Sequence, residues 1–123
     1  MSAITALQAL EQHTAIIIPV YFHAESDPDF GYALLAETVH LFVREVDDPQ
    51  AVCVSVDGSA VGAQVAARVA AHYGIQVVNS ASNQGKLGAA RNGAQFMLQD
   101  QRWHYLAMVD QDGDASIQPA DSH

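Results

Sequence analysis

The residues best suited to chemistry in this chain are Asp110 and Asp112, in the run Asp110-Gln111-Asp112-Gly113-Asp114. Two carboxylates flanking one residue can approach a single hard cation, directly or through water. An all-oxygen ligand set favours Mg²⁺ or Mn²⁺ over softer metals. A cation held there could bridge diphosphate oxygens and stabilise the charge that develops on a departing nucleoside diphosphate. The plain alternative is a solvated acidic turn. What lifts the pair above that alternative is its place directly after the apolar run Tyr105 to Val109, which reads as a buried strand. Asp57 also has two readings. It caps the helix that follows it, or it accepts hydrogen bonds from the base or ribose of a nucleotide, with Gly58 allowing a ligand close to the backbone. A third stretch, Asn83-Gln-Gly-Lys-Leu-Gly-Ala-Ala-Arg-Asn92, is a polar loop opening a helix of small residues. Amides at such a helix start favour anions, although small residues there also serve close packing. It is not a P-loop, since no Ser or Thr follows Lys86, and no Gly-x-Gly-x-x-Gly follows the first strand.

These groups must be positioned by regular elements, and the periodicity supplies them. Residues 2–12 read as a short N-terminal helix, within a leading segment 1–13, capped by Ser2, with Ile4, Leu7 and Leu10 on one side. Residues 14–20 are a β-branched apolar run expected to form a buried strand stopping at Pro19. Asp27-Pro28 offers an N-cap and a proline at the first helical position, ahead of Leu35, Val39, Phe42 and Val46 at helical spacing. Ala51 to Val56 is a second strand, ended by Asp57-Gly58-Ser59. Val61, Val65, Val69 and Tyr73 mark a second helix closed by Gly74. Ile75 to Val78 is a third strand. Residues 85–99 form a third helix, with Leu87, Ala90, Ala94 and Met97 expected inward. Tyr105 to Val109 is a fourth strand, and residues 115–123 read as a polar tail. Strands alternating with helices of this length predict right-handed βαβ units, hence an α/β sandwich with a mainly parallel sheet and helices on both faces. In such a sheet ligands bind beyond the carboxyl ends of the strands, and Pro19-Val20-Tyr21, Asp57-Gly58-Ser59, the 79–85 loop and the aspartates at 110–114 all fall there.

Composition narrows the class. The 123 residues suffice for a single domain or part of one, and half of them are hydrophobic, so the chain can bury a core and is not of disordered composition. Five basic residues face fourteen acidic ones, a formal charge of −9, which is the wrong sign for binding nucleic acid or anionic membranes. One cysteine, Cys53, excludes an internal disulfide framework and a multi-thiolate zinc site. No apolar stretch approaches a membrane span, so the default expectation is a soluble cytoplasmic domain. A sheet ending after about four strands would leave a bare edge; we therefore expect the first part of a larger domain, with association through that edge as one way to cover it.

Taken in order, Ile16-Ile-Ile-Pro-Val-Tyr21, Val54-Ser-Val-Asp-Gly-Ser59, Asn83 to Asn92 and Val109-Asp-Gln-Asp112 resemble the motifs of family 2 glycosyltransferases, inverting enzymes of the GT-A fold that use nucleotide-diphosphate sugars. The resemblance covers roughly residues 14–119, and Pro119 suits the proline that often follows the metal motif. It implies a Rossmann-like GT-A three-layer sandwich, a nucleotide-diphosphate sugar as donor, an unknown acceptor, and Mn²⁺ or Mg²⁺ as cofactor. By the same resemblance Pro19 and Tyr21 shape the nucleotide pocket and Asp57 contacts the base. Asp110 and Asp112 serve the ribose, the diphosphate and the metal, Asp112 as the direct ligand, while Lys86 and Arg91 lie in the segment lining the donor site. The chain departs from the pattern in two ways. Val56 stands where many members have the first of two adjacent aspartates, and the acidic motif carrying the family's catalytic base has no counterpart here. The expectation is thus a donor-binding part, 1–123, of an inverting transferase. The alternative is a non-catalytic nucleotide-binding or interaction module of the same fold.

Other readings are weaker. Gln99-Asp-Gln-Arg-Trp103 resembles the Q-x-x-R-W of processive synthases but precedes the metal motif instead of following a catalytic base, so Trp103 is expected to pack where helix meets strand. A phospho-receiver would need an acidic pair after the first strand, where Tyr21-Phe22-His23 stands, and a lysine ending a fifth strand. The six histidines fall in no metal-ligand spacing. Cys53 reads as a small buried hydrophobe.

Overall fold

The computed structural model describes residues 12–22, 27–80, 85–109 and, for the backbone, 115–119. The expected N-terminal helix falls almost wholly outside these residues. Strand β1 (Thr14–Val20) and strand β2 (Val52–Val56) are buried along their whole length, as strands covered on both faces must be. Between them runs helix α1 (Pro28–Val43). Asp27 caps it by accepting from the Asp29 amide at 3.0 Å, and Pro28 occupies the first turn, where its missing N–H costs nothing. Helix α2 (Ala60–Tyr73) starts on Ser59 and stops on Gly74, whose φ of +74° closes the last turn in the left-handed region. Strand β3 (Gln76–Asn79), helix α3 (Gly85–Met97), strand β4 (Tyr105–Val109) and strand β5 (Ala115–Pro119) complete the described chain.

The sheet order is β3-β2-β1-β4-β5. The first four strands run parallel, and β5 pairs antiparallel with β4, from Val109↔Ala115 to Tyr105↔Pro119. This corrects the expectation of a sheet ending at its fourth strand with a polar tail behind it: residues 115–119 return along β4, and the edge on that side of the sheet is β5. Pro119, at the far end of an edge strand, sits where a missing N–H is tolerated. Pro19 lies in a central strand, paired with Ser55, yet beyond Ile17↔Met108, the last β1–β4 pair. The strand therefore runs on through Pro19 to Val20.

Two unlike layers cover the sheet. On one face Leu35 and Val39 of α1 and Val65 and Val69 of α2 are fully buried against the face that carries Val56, whose side chain lies under Gly62. On the other face α3 crosses β1 and β2 on small residues, Ala89, Gly93 and Ala94, with Met97 at its end. A Cβ on Gly93 would lie 2.7 Å from Ile17 Cγ2 and 3.1 Å from Ser55 Cβ, and Ser55 Oγ donates to the Ala89 carbonyl at 2.5 Å. Leu87, expected inward, is 82% exposed. It lies two residues from Ala89, about 160° around the helix from that contact, because the small residues make the close approach. Trp103 is buried just before β4, with the Arg102 guanidinium 4.1 Å from its ring centre, which agrees with a packing role. Arg102 also meets Asp48 at 3.0 Å. The Asp48 carboxyl is held below its ordinary range, chiefly by the Gln50 amide it accepts from and then by Arg102.

Gly93→Ala should therefore lower stability by about 1–3 kcal/mol through overpacking, read as a lower urea midpoint at unchanged slope. An unchanged midpoint would show that the seam between α3 and the sheet can open at no cost.

Candidate functional site at the carboxyl ends of the strands

Strand order reverses at β1, with β2 on one side and β4 on the other, and the crevice beyond the carboxyl ends at such a reversal is where open parallel sheets take ligands. Tyr21 and Phe22 follow β1, Asp57 and Gly58 follow β2, Asn79 and Ser80 close β3, and Gly85 and Lys86 open α3. Backbone ladders continue past the strands: the Asp57 amide donates to the Val20 carbonyl at 3.0 Å and the Ser80 amide to the Val56 carbonyl at 2.9 Å. These bonds set Val20, Asp57 and Ser80 side by side.

Three polar side chains then tie the described strand ends and helix starts together. Ser59 Oγ donates to the Phe22 carbonyl at 2.7 Å and accepts from the Gly62 amide at 3.0 Å, so one hydroxyl caps α2 and holds the end of β1. Asn92 Nδ2 donates to Ser80 Oγ at 2.7 Å, joining the end of β3 to α3. Asp57 Oδ2 accepts from the Gly85 amide at 3.0 Å. Asp57 does not cap the helix that follows it, since Ser59 does; it accepts from the start of the helix after that. At 2% exposure it is the one buried charged side chain among the described residues. The start of α3 thus already holds an anion, which is internal. A ligand phosphate would compete with that carboxylate for the Gly85 N–H.

The expected site residues divide into groups. Pro19, Tyr21, Asp57 and Lys86 come to this one end, Tyr21 at 41% exposure and Lys86 exposed on the first turn of α3. Arg91 does not join them: it is exposed and two residues from both Ala89 and Gly93, so it projects about 160° away from the packed stripe of α3. Asp110 and Asp112 lie outside the described residues. The last described residue before them is Val109, the buried last residue of β4. Val56 is buried against the α2 layer at Gly62, so a carboxylate at 56 would point into the core, and only position 57 can present an acid to the loops. Ser59, Ser80 and Asn92 were not foreseen as holding this end. The Asp57-Gly58-Ser59 turn signal contained the first of them; the other tie depends on tertiary pairing.

The remaining chemistry-bearing side chains lie elsewhere. His13 and His104 stack with centroids 4.6 Å apart, and the His104 amide donates to the His13 carbonyl. Both stand at the amino ends of β1 and β4, the same end as Arg102 and Trp103, so the Q-x-x-R-W stretch is at the wrong end of the sheet for this site. No cluster of three metal-ligating side chains occurs among the described residues. A shallow depression lined by Tyr32, Arg68, Ala71 and His72 lies on α1 and α2, where Arg68 is engaged by Asp29 at 3.1 Å and by the Tyr32 ring. The sheet order, with its antiparallel β5, also differs from the 2-1-3-4-5 order of receiver domains. No protein-family model matches the chain, and no curated protein matches it significantly.

Cys53 is buried mid-strand in β2, and burial pushes its thiol up to about 12. The native protein should therefore resist aqueous thiol reagents at pH 8 and become labelled only on unfolding. The raised value also means that the thiol's contribution to stability is lost as pH rises from about 9. Rapid labelling of the folded protein would contradict this placement.

Proposed function

We propose that this chain is the donor-binding part of an inverting glycosyltransferase of the family 2, GT-A type, holding a nucleotide-diphosphate sugar across the carboxyl ends of β1, β2 and β4. The observation that carries the reading is convergence. Four segments resembling that family's motifs occur in order, and the described parts of all four meet the same end of one sheet, at its point of strand reversal. Tyr21, Gly58 and Lys86 offer an aromatic face, close backbone approach and a cation. In a chain of net charge −9, a diphosphate next to the aspartates at 110 and 112 needs a divalent cation to offset repulsion. Those two carboxylates are the residues that would hold Mn²⁺ or Mg²⁺, which would neutralise the departing diphosphate. Transfer with inversion further requires a base to deprotonate the acceptor hydroxyl, and none of the described residues is assigned that role.

One observation favours a second reading, a nucleotide-binding module without transferase activity: the buried Asp57 carboxylate is engaged within the fold. Both readings require nucleotide binding, and the test starts there. With UDP or GDP and Mn²⁺ at a hundredfold excess over Kd, the native state gains about 2.7 kcal/mol, raising the thermal midpoint by on the order of 10 °C. The rise should need both nucleotide and metal and vanish in Asp110→Ala and Asp112→Ala, whose own midpoints stay near that of the parent chain. A cooperative transition that neither nucleotide shifts would refute both readings.

A further inference from the structure

Asp57 is placed to do something other than read a ligand. A buried carboxylate requires compensating partners, and one of them is the Gly85 amide, 28 positions further along the chain. Gly85 has a φ of +78°, and a Cβ there would meet nothing within 4 Å. A glycine is thus required for the backbone conformation and not for space. The N-terminal amide of a helix is favourable for a negative charge, so the bond is charge-assisted through its carboxylate acceptor. The same residue's own amide donates to Val20. Asp57 therefore joins three elements at one point: the end of β1 through its backbone, the end of β2 through the chain, and the start of α3 through its side chain. Lys86 follows Gly85 directly, so that bond helps to place its backbone at this end of the sheet.

We infer that Asp57 is a positioning residue whose carboxylate sets the start of α3, and with it Lys86, against the ends of β1 and β2, and that it supports nucleoside diphosphate binding through Gly85 and not by contacting the base. This rests on the nucleotide-binding reading above. A base-reading carboxylate and a positioning carboxylate respond differently to substitution. Asparagine keeps an oxygen that can accept from Gly85, whereas alanine removes it.

Affinities of the chain for UDP, GDP and ADP with Mn²⁺ should be measured alongside hydrogen exchange at the Gly85 amide. Asp57→Ala should weaken all three nucleotides by a similar factor, about tenfold for one charge-assisted bond, and Gly85 exchange should accelerate. Asp57→Asn should restore affinity to within about threefold and keep most of the protection. Gly85→Ala, which leaves Asp57 in place but disfavours the positive φ, should reproduce the loss and covers the case in which Asp57→Ala fails to fold. A changed ratio among the three nucleotides in Asp57→Asn would mean that Asp57 reads the base, and would overturn the inference. So would unaltered Gly85 exchange in Asp57→Ala. If the parent chain binds none of the three, the nucleotide reading fails and the role in binding falls with it, whereas Gly85 exchange still decides whether Asp57 holds α3.

Discussion

The close seating of α3 on the sheet is the constraint from which the rest of this structure follows. The chain must return from β3 across β2 and β1 to lay β4 on the far side of β1, and α3 is the element that makes the crossing. It does so where Gly93 faces Ile17 and Ser55 with no room for a methyl group, and where the Ser55 hydroxyl reaches the Ala89 carbonyl. The opposite layer has no such restriction, and its helices pack through Leu35, Val39, Val65 and Val69. One face is therefore an ordinary aliphatic core and the other a narrow seam of small side chains. The seam fixes how α3 lies over the sheet, and the axis of α3 fixes where its first turn meets the strand ends.

At that end the structure substitutes hydrogen bonds for hydrophobic packing. Ser59 to Phe22, Asn92 to Ser80 and Asp57 to Gly85 each connect a loop or helix start to a neighbouring element. Strand ends and helix starts held in this way lose little further freedom when a ligand arrives, which is the general advantage of preorganisation. The same bonds limit what the site can offer, since groups engaged within the fold are costly to redirect. Under the proposed reading, the exposed Tyr21, Gly58 and Lys86 face the ligand, and Asp57 belongs to the scaffold that presents them.

Much of this was legible in the residues. The apolar runs at 14–20 and 51–56, the Asp27-Pro28 start and the Gly74 stop are local signals, and each marks an element boundary to within a residue. Hydrophobicity misled at Leu87, which was assumed to face inward, whereas Ala89, Gly93 and Ala94 make the close approach and only Met97, at the helix end, buries a long apolar side chain. Strand β5 was missed because five residues with a serine, a glutamine and a proline carry little strand signal on their own; their pairing with β4 is a tertiary fact. Asp57 had two local readings, a cap for the following helix or a ligand contact, and the first of them falls to Ser59. A bond to an amide 28 positions away leaves no trace in local spacing. The metal-binding expectation for Asp110 and Asp112 stands on the sequence and on their place directly after β4.

The proposed nucleotide site lies at the carboxyl end of the sheet, at the reversal between β1 and β4. Amide chemical shifts of the ¹⁵N-labelled chain, recorded during titration with UDP or GDP in the presence of Mg²⁺, test this most directly. The account predicts saturable changes concentrated at Tyr21, Phe22, Gly58, Ser80, Gly85, Lys86 and Val109, with His13 and His104 at the opposite end unaffected. Changes centred on the α1 and α2 surface around Tyr32 and Arg68, or none at millimolar nucleotide, would contradict it.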